Sequence, residues 1–340
     1  MRYLITGGCG FMGSNLAQEV LVRGEQLLIL DNLSRLGSAD NLKWLQALGA
    51  FEFKQMDICS GDEVDRVIRN FQPDVVFHLA GQVAMTTSLS NPKLDLSINV
   101  SGTLNILEAL RRYRPEAMMI YSSTNKVYGD LEKLQYNEEP LRYQAVDFPL
   151  GFDETLPLAF STPYGCSKGA ADQYVLDYSK NFDLRTVVFR HSSAFGLRQY
   201  STFDQGWIGW FIRQAIETKN DRLRQPFTLS GSGKQVRDVL FSSDLVRCYF
   251  KAIDHIEQAN GEAFNIGGGY TNSISPLELF NFLEQALQVK LKYEHLPWRR
   301  SDQKVFIADV RKAKTLLGWS PEMNAENGLH EMISWAINHD

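Results

Sequence analysis

The sequence predicts an α/β fold, in which a doubly wound parallel sheet forms the larger domain and a smaller α/β domain follows it. Two observations predict this fold. Short apolar runs alternate with helical patterns, and 340 residues exceed what a single core usually supports. With 44% hydrophobic and 22% charged residues, the chain has the composition of a globular protein that buries a large core.

The predicted strands are 3–6, 26–30, 51–55, 75–79 and 118–122. Helical patterns such as 12–23 and 62–70 separate them, as expected for parallel strands joined by crossover helices on both faces of the sheet. In such sheets ligands bind beyond the carboxyl ends of the strands. We therefore look for functional residues in the loops that follow these strands.

Composition argues against several classes of partner. No apolar run approaches the roughly 20 residues of a membrane span, and the N-terminus enters a strand without the features of a signal peptide, so a cytoplasmic protein is expected. A net charge of −5 without a long basic tract argues against binding nucleic acid or a membrane surface. The four cysteines form no Cys-x-x-Cys pair and no cluster with the six histidines, so no metal site is predicted.

A glycine-rich turn follows the first predicted strand. Gly7, Gly10 and Gly13 are spaced Gly-x-x-Gly-x-x-Gly, and Phe11 and Met12 begin the helix that follows. Glycines at these positions let a pyrophosphate approach the backbone N–H groups at a helix N-terminus. Together with the strand before and the helix after, this spacing predicts a dinucleotide-binding (Rossmann) domain.

Acidic residues follow the second and third predicted strands. Asp31 lies where a carboxylate can hold a ribose 2′-hydroxyl, which favours NAD over NADP, although Arg35 nearby could meet a phosphate. Asn32 follows Asp31 directly. Asp57, followed by Ile58, is placed to meet the adenine amino group, and capping of the next helix is an alternative role.

Tyr164 and Lys168 are four residues apart in a helical pattern, so both side chains face the same way. An ammonium beside a phenol favours the phenolate, which lowers the pKa of Tyr and makes it a general base for an alcohol. The spacing alone is weak, because a chain with thirteen tyrosines contains such pairs by chance. The hydroxyl of Thr124, just after the fifth strand, supplies a plausible partner.

These features together resemble the extended short-chain dehydrogenase/reductase superfamily, in its nucleotide-sugar epimerase branch. Further matching segments are 78–80 (His-Leu-Ala), 231–238 (Gly-Ser-Gly-Lys-Gln-Val-Arg-Asp) and 298–303 (Trp-Arg-Arg-Ser-Asp-Gln). The resemblance implies that Thr124 bonds the sugar oxygen, Tyr164 exchanges its proton, and Lys168 holds the nicotinamide ribose. The remaining implied cofactor-binding residues are Leu79, Ala80, Asn99, Ser122 and Arg190.

A narrower resemblance is carried by longer runs. The segments 124–130 (Thr-Asn-Lys-Val-Tyr-Gly-Asp), 151–158, 163–174, 190–199 and 204–207 are similar to the CDP-tyvelose 2-epimerases, also called CDP-paratose 2-epimerases. Two positions depart from relatives: Phe195 stands where Tyr is common, and Ser193 where Asn or Cys is usual. Either departure could change the range of sugars accepted.

The resemblance implies inversion of C2 in a CDP-linked deoxyhexose, from CDP-paratose to CDP-tyvelose. NAD would oxidise C2 transiently, Tyr164 would take the hydroxyl proton, and the 2-keto sugar would turn before hydride returns to its other face. Arg237 and Arg299 are planar cations suited to the diphosphate. The amide of Asn125 is expected to help seat C2. Further candidates for the sugar and base pocket, for which ordinary packing is equally compatible, are Gln82, Met85, Ser88, Ser193, Gln205 and Trp207.

Two other functions stay open at this point. A C4-epimerase, dehydratase or reductase could use the same scaffold, although a dehydratase would normally carry an Asp-Glu pair where this chain has Asn125 and Lys126. A non-catalytic dinucleotide-binding protein is the third possibility. We expect residues 1–190 to form the NAD-binding domain and 191–340 mainly the nucleotide-sugar domain, with some return near 236–270. A homodimer or homotetramer is expected.

The sequence also predicts the surroundings of two histidines, one lysine and one long segment. His78 and His191 follow apolar strands and are expected to be packed and hydrogen-bonded rather than catalytic. Lys126 is expected to be solvated or ion-paired. Segment 130–160, with three prolines and no clear period, is expected to form a long loop over the site.

Overall fold

The computed structural model describes residues 1–223 and 225–339. The strands are β1 (Arg2–Thr6), β2 (Gln26–Asp31), β3 (Glu52–Gln55), β4 (Val75–His78), β5 (Met118–Thr124), β6 (Tyr136–Glu138), β7 (Tyr143–Ala145), β8 (Arg185–His191), β9 (Ser193–Phe195), β10 (Phe227–Ser230), β11 (Val236–Phe241), β12 (Glu262–Ile266), β13 (Ser273–Ile274), β14 (Tyr293–Leu296) and β15 (Val305–Phe306).

The α-helices are α1 (Phe11–Val22), α2 (Ser38–Leu48), α3 (Gly61–Phe71), α4 (Met85–Ser90), α5 (Pro92–Asp95), α6 (Thr103–Tyr113), α7 (Thr162–Phe182), α8 (Trp207–Lys219), α9 (Ser242–Asp254), α10 (Ile256–Ala259), α11 (Pro276–Leu287), α12 (Arg311–Leu317) and α13 (Ala325–Asn338). A π-helical segment spans Leu96–Gly102, and 3₁₀ turns span Asn125–Tyr128 and Tyr270–Asn272.

The central feature is a parallel seven-stranded sheet with the order β12-β8-β5-β4-β1-β2-β3. The winding reverses beside β1, because β2 and β3 lie on one side of it while β4, β5, β8 and β12 lie on the other. The predicted doubly wound α/β fold is confirmed. The carboxyl ends of β1 and β4 therefore flank the crevice where such sheets bind ligands.

Apolar side chains cover both faces of this sheet. Neighbouring residues of β1 face opposite ways: Ile5 joins a core that contains Leu16 of α1, whereas Leu4 joins a second core that contains Val67 of α3. Because both faces are buried, the strands are continuous apolar runs rather than alternating ones, and all four residues of β4 are buried.

Helix α7 lies close against the end of β5 because glycines face its neighbours. A Cβ at Gly165 would lie 3.0 Å from the Lys126 carbonyl oxygen, and one at Gly169 would lie 2.3 Å from the ring of Phe160. Pro163 is in the first turn of α7, where its missing N–H costs no hydrogen bond. The close approach brings the residues of the first turns of α7 to the carboxyl edge of the sheet.

A third core lies beyond the large sheet and joins α8, α11 and α13 to β10 and β11 through residues such as Ile212, Phe280 and Leu329. The smaller sheets pair β10 with β14, and β11 with β9, β13 and β15. The chain returns to the large sheet at β12, which pairs with β8. The division into an NAD-binding and a sugar-binding domain stays a prediction.

Segment 130–160 is more regular than expected. It contains the antiparallel pair β6–β7, and Phe152 is fully buried against Phe306. Alternation cannot reveal strands of three residues, which explains why the sequence suggested only a loop. In the described parts of the chain, no helix combines the length and apolarity that crossing a bilayer requires.

Candidate active site

A cleft of about 510 Å³ opens at the carboxyl edge of the large sheet, between the loops that follow β1, β2, β4 and β5. Most of the predicted cofactor-binding residues lie in its wall: Gly7, Gly10, Phe11, Met12, Gly13, Asp31, Asn32, Asp57, Ile58, Leu79, Ala80, Ser122, Tyr164 and Lys168. The structure therefore brings together residues that are far apart in the chain.

The glycine turn fits a dinucleotide. Gly7 has a φ of +69°, and a Cβ there would lie 2.8 Å from the Ala80 backbone nitrogen. A Cβ at Gly13 would lie 2.2 Å from the Gly7 carbonyl oxygen. Since Gly10, the N-cap of α1, has no side chain to cap it, the first N–H groups of the helix are available to a pyrophosphate.

Asp31 ends β2 and is held by its neighbours. Its Oδ2 accepts a hydrogen bond from the Cys9 backbone N–H at 2.9 Å, and its Oδ1 accepts one from Leu33 at 2.8 Å. Burial raises the pKa of Asp31, and these hydrogen bonds oppose that change. Each carboxylate oxygen keeps lone pairs that a ribose hydroxyl can use.

Asp57 does not cap a helix. The N-cap of α3 is Ser60, whereas Asp57 accepts hydrogen bonds from the Cys59 backbone N–H at 2.9 Å and from the Asn32 side chain at 3.1 Å. The capping alternative considered from the sequence is therefore wrong. Asp57 and Asn32 instead form one polar corner of the cleft.

Tyr164, Lys168 and Thr124 meet where α7 contacts the end of β5. Tyr164 and Thr124 both line the cleft, and the Thr124 hydroxyl opposes the effect of burial on the pKa of Tyr164. Lys168 donates a hydrogen bond to the Ser122 carbonyl oxygen, and its Nζ lies 4.3 Å from the centroid of the Tyr121 ring. The structure thus assembles the three predicted catalytic residues in one place.

Burial dominates the ionisation of this group. It raises the pKa of Tyr164 to about 12, against the opposing hydrogen bond with Thr124. Burial also lowers the pKa of Lys168 to about 7, against the attraction of Asp172. The expected lowering of the Tyr164 pKa is therefore wrong for this structure, because desolvation of the phenolate and the charge of Asp95 outweigh the opposing effect of Thr124.

Arg190 does not reach the cleft. Its guanidinium donates two hydrogen bonds of 2.9 Å to the carboxylate of Asp172 and one of 3.0 Å to the hydroxyl of Tyr128. Asp172 also accepts one from Ser123 at 2.7 Å. The predicted cofactor contact of Arg190 therefore stays a prediction, and in this structure its guanidinium forms a buried ion pair that joins α7 to β5 and β8.

Three further residues predicted to contact ligands form hydrogen bonds within the protein. Asn99 is buried and bonds the backbone of Gln82 in both directions, at 2.8 and 3.0 Å. Ser88 is buried and donates to Asp95 at 2.6 Å. Gln82 uses its amide on Ala84 and Asp95, and it faces the cofactor cleft rather than the sugar pocket. The predicted cofactor contact of Asn99 and the predicted sugar contacts of Ser88 and Gln82 stay predictions.

A second cavity of about 550 Å³ adjoins the first. The predicted substrate-binding residues in its wall are Met85, Asn125, Ser193, Gln205, Trp207, Arg237 and Arg299. The two cavities share Ser193, Gln205 and Trp207, and Thr124 in one wall precedes Asn125 in the other. The predicted catalytic residues therefore lie where the cavities meet.

The two positions that depart from relatives differ in their surroundings. Ser193 accepts a hydrogen bond from the Trp207 indole N–H at 3.2 Å in the wall of the second cavity. Phe195 is buried in the third core, with its ring edge-on to Phe241. Of the two departures, only Ser193 is therefore placed to contact a sugar.

Positive charge lines the second cavity. Arg237 forms a 2.6 Å ion pair with Asp302, and the guanidinium of Arg299 lies 4.7 Å from the centroid of the Phe203 ring. Lys126 lies 3.5 Å from Asp302, and burial lowers its pKa to about 8. Cations that outnumber their carboxylate partners suit a diphosphate.

The sequence reasoning missed how much of this wall comes from segment 299–303. Lys126 is ion-paired, which is one of its two expected states, and Arg300 and Asp302 also line the cavity. Gln303 is fully buried and bonds Asn125. The signal was available in the run Arg-Arg-Ser-Asp-Gln, which concentrates charge beside a motif already singled out.

The two histidines are packed, as expected. His78 bonds the hydroxyls of Thr6 and Thr103 at 2.7 and 2.9 Å, and His191 bonds the hydroxyl of Tyr249 at 3.0 Å. Burial lowers the pKa of each imidazole to about 3. Neither ring is therefore a proton carrier near neutral pH.

Comparisons with known proteins agree with this geometry. The model of the NAD dependent epimerase/dehydratase family matches residues 3–267. A CDP-paratose 2-epimerase of Salmonella typhi is 55% identical over 98% of this chain and 99% of its own. The structure of a UDP-glucose 4-epimerase from Thermotoga maritima with UDP-glucose aligns with a TM-score of 0.84 at 26% identity, covering 100% of this chain and 99% of its own.

A third relative was solved with its cofactor. The structure of a UDP-glucuronic acid 4-epimerase from Bacillus cereus, in complex with UDP-glucuronic acid and NAD, aligns with a TM-score of 0.83 at 25% identity. The alignment covers 100% of both chains.

Proposed function

Because the chain belongs to the NAD dependent epimerase/dehydratase family, we propose that it inverts C2 of a CDP-linked deoxyhexose, converting CDP-paratose to CDP-tyvelose. The observation that carries this proposal is the position of Thr124 and Tyr164 at the junction of a dinucleotide-shaped cleft and a cationic cavity. The Salmonella typhi relative supports C2 as the reacting carbon.

The cofactor is NAD. The glycine turn and the N-terminus of α1 would hold its pyrophosphate, and Asp31 would hold a ribose hydroxyl. When bound, NAD would supply the hydride acceptor for oxidation of C2 and the hydride donor for reduction from the other face. Arg35 lines the same cleft, so a contact with a phosphate remains within its reach.

The residues of the chain transfer the proton and orient the substrate. Tyr164 takes the C2 hydroxyl proton during oxidation and returns it to the same oxygen during reduction, and Thr124 donates a hydrogen bond to that oxygen. A protonated Lys168 favours the phenolate against the cost of burial. Arg237 and Arg299 anchor the diphosphate while the 2-keto sugar turns over. The hydride returns to C2 and the proton returns to the C2 oxygen, so the net change is inversion of C2.

The neighbours of Thr124 argue against elimination chemistry. A dehydratase would need carboxylates there, whereas Asn125 is an amide and Lys126 is a cation paired with Asp302. No sugar-ring proton therefore finds a carboxylate base at these two positions. The homodimer or homotetramer and the cytoplasmic location expected from the sequence stay predictions.

The test is a panel of CDP-, UDP- and GDP-linked sugars incubated with the protein and NAD, with products identified by NMR. We expect inversion at C2 of the CDP sugars, and no turnover by Tyr164→Phe with NAD binding retained. Inversion at C4 without a C2 product would reject the proposal. In heavy water, C2 of the product should keep its protium, because an internally returned hydride does not exchange with solvent.

A further inference from the structure

A buried chain of hydrogen bonds leads from the backbone to the catalytic hydroxyls. Gln303 is fully buried, and its Nε2 donates to the Gly129 carbonyl oxygen at 2.7 Å. Asn125 Nδ2 donates to Gln303 Oε1 at 2.8 Å. Thr124 Oγ1 donates to Asn125 Oδ1 at 3.4 Å, and Tyr164 lines the same cleft as Thr124.

The Gly129 carbonyl oxygen determines which atom donates and which accepts in each of these hydrogen bonds. A backbone carbonyl can only accept, so the amide nitrogen of Gln303 must face Gly129 and its oxygen must face Asn125. An oxygen of Gln303 needs a donor, so Asn125 turns its nitrogen to Gln303 and its own oxygen to Thr124. Reversing either amide would place two oxygens, or two N–H groups, in contact where bonds of 2.7 and 2.8 Å now stand.

The hydroxyl of Thr124 is oriented from the other side as well. The Lys126 backbone N–H donates to Thr124 Oγ1 at 3.3 Å, which uses one lone pair and leaves the hydroxyl proton to Asn125 Oδ1. That bond is long and therefore weak. A sugar oxygen at an ordinary distance can displace it, and Asn125 Oδ1 is then free to accept from a neighbouring sugar hydroxyl.

We propose that Gln303 is a positioning residue. It holds the Asn125 amide so that Asn125 Oδ1 faces Thr124 and the sugar. Asn125 Oδ1 can then accept a hydrogen bond from a sugar hydroxyl. This inference rests on the proposed function, because it gives Asn125 a substrate contact in the same site. Gln303 also follows Asp302, the partner of Arg237 and Lys126. Segment 299–303 thereby links the cationic wall to the catalytic hydroxyls.

Two substitutions at Gln303 separate positioning from packing. Gln303→Met introduces an apolar side chain of similar length and removes both hydrogen bonds, so the Asn125 amide is free to reverse. We expect kcat to fall roughly ten- to hundredfold, as for loss of oriented buried hydrogen bonds, with NAD affinity unchanged. The matched control is Gln285→Met on α11, where the side chain is exposed and kcat should not change.

Gln303→Glu gives a pH signature. A protonated Glu donates its O–H to Gly129 and accepts from Asn125, which reproduces the glutamine pattern, whereas the ionised form can only accept and repels the Gly129 carbonyl. The ratio of its kcat to that of the wild type should therefore rise as pH falls. This variant also tests the proposal if Gln303→Met fails to fold.

The proposal is overturned if Gln303→Met keeps the wild-type kcat, or if the ratio for Gln303→Glu does not change with pH. A fall in thermal stability with no change in kcat would show that Gln303 only packs, and it also overturns the proposal. Absence of C2 inversion by the wild type rejects the proposed function instead. The Gln303 variants are then compared on whichever inversion the sugar panel reveals.

Discussion

The buried pair of Arg190 and Asp172 offers the sharpest test of how the site is supported. The side chains are 5% and 0% exposed, and two 2.9 Å hydrogen bonds join them. Sequence resemblance gave Arg190 a role in holding the cofactor, whereas the structure gives it a role in holding α7 against the sheet. Arg190→Met distinguishes these roles, because only the second predicts a large loss of stability.

The size of that loss follows from what remains around Asp172. Without the guanidinium, the carboxylate keeps hydrogen bonds only from the side chains of Ser123 and Gln173, at 2.7 and 2.9 Å. An uncompensated buried charge of this kind costs about 3–5 kcal/mol. Removing both charges together, in Arg190→Met with Asp172→Leu, should cost less than Arg190→Met alone, because no buried charge is then left unpaired.

The assay is urea unfolding of both variants and the wild type, followed by titration with NAD of the protein that remains folded. We expect the single variant to lose about 3–5 kcal/mol of unfolding free energy, and its NAD dissociation constant to change less than threefold. Wild-type stability with a tenfold or greater loss of NAD affinity would refute the structural role and restore the cofactor contact.

Three further predictions follow from individual residues. Gly13→Ala should abolish NAD binding, since its Cβ would lie 2.2 Å from the Gly7 carbonyl oxygen, while Gly49→Ala, whose nearest contact is at 3.6 Å, should bind normally in calorimetry. Burial lowers the pKa of Lys168 from 10.5 to about 7, so the unfolded chain binds more protons than the folded chain between these pH values. The buried lysine therefore lowers the unfolding free energy, and this loss becomes smaller as pH rises. The gain in unfolding free energy of Lys168→Met over the wild type should therefore shrink from pH 7 to 10, and a constant gain would contradict it. Burial raises the pKa of Asp238 from 3.8 to about 6, so the folded chain binds more protons than the unfolded chain between these pH values. The unfolding free energy of the wild type should therefore fall as pH rises through this range. The urea midpoint of Asp238→Asn should change less with pH than that of the wild type. Parallel curves of midpoint against pH for the two proteins would count against this explanation.

The sequence predicted well those features that depend on local spacing. The glycine turn, Asp31 at the end of a strand, and the helical spacing of Tyr164 and Lys168 all lie where expected. Each follows from a short stretch of chain, because glycine conformations, strand ends and helical periodicity are local properties. The family resemblance then indicated that these stretches belong to one site.

Roles that depend on a distant partner are not fixed by any local pattern in the sequence. Asn99, Ser88 and Arg190 were assigned to ligands on resemblance or position, but each is buried with a hydrogen-bonding partner in the protein. A polar residue near a cleft can face either the ligand or the protein behind it, and periodicity does not distinguish these. The ionisation of Tyr164 was misjudged for a similar reason, because desolvation depends on everything packed around the hydroxyl.

The sequence by itself determined the parallel sheet, the dinucleotide turn and the helical spacing of Tyr164 and Lys168, because each depends on spacings of a few residues. Only the tertiary structure decided which polar side chains face the ligands. Asn125 and Gln303 are separated by 178 residues, yet their hydrogen bond sets the direction in which Asn125 points. That direction depends on how two distant parts of the chain pack, and no local pattern of residues encodes it.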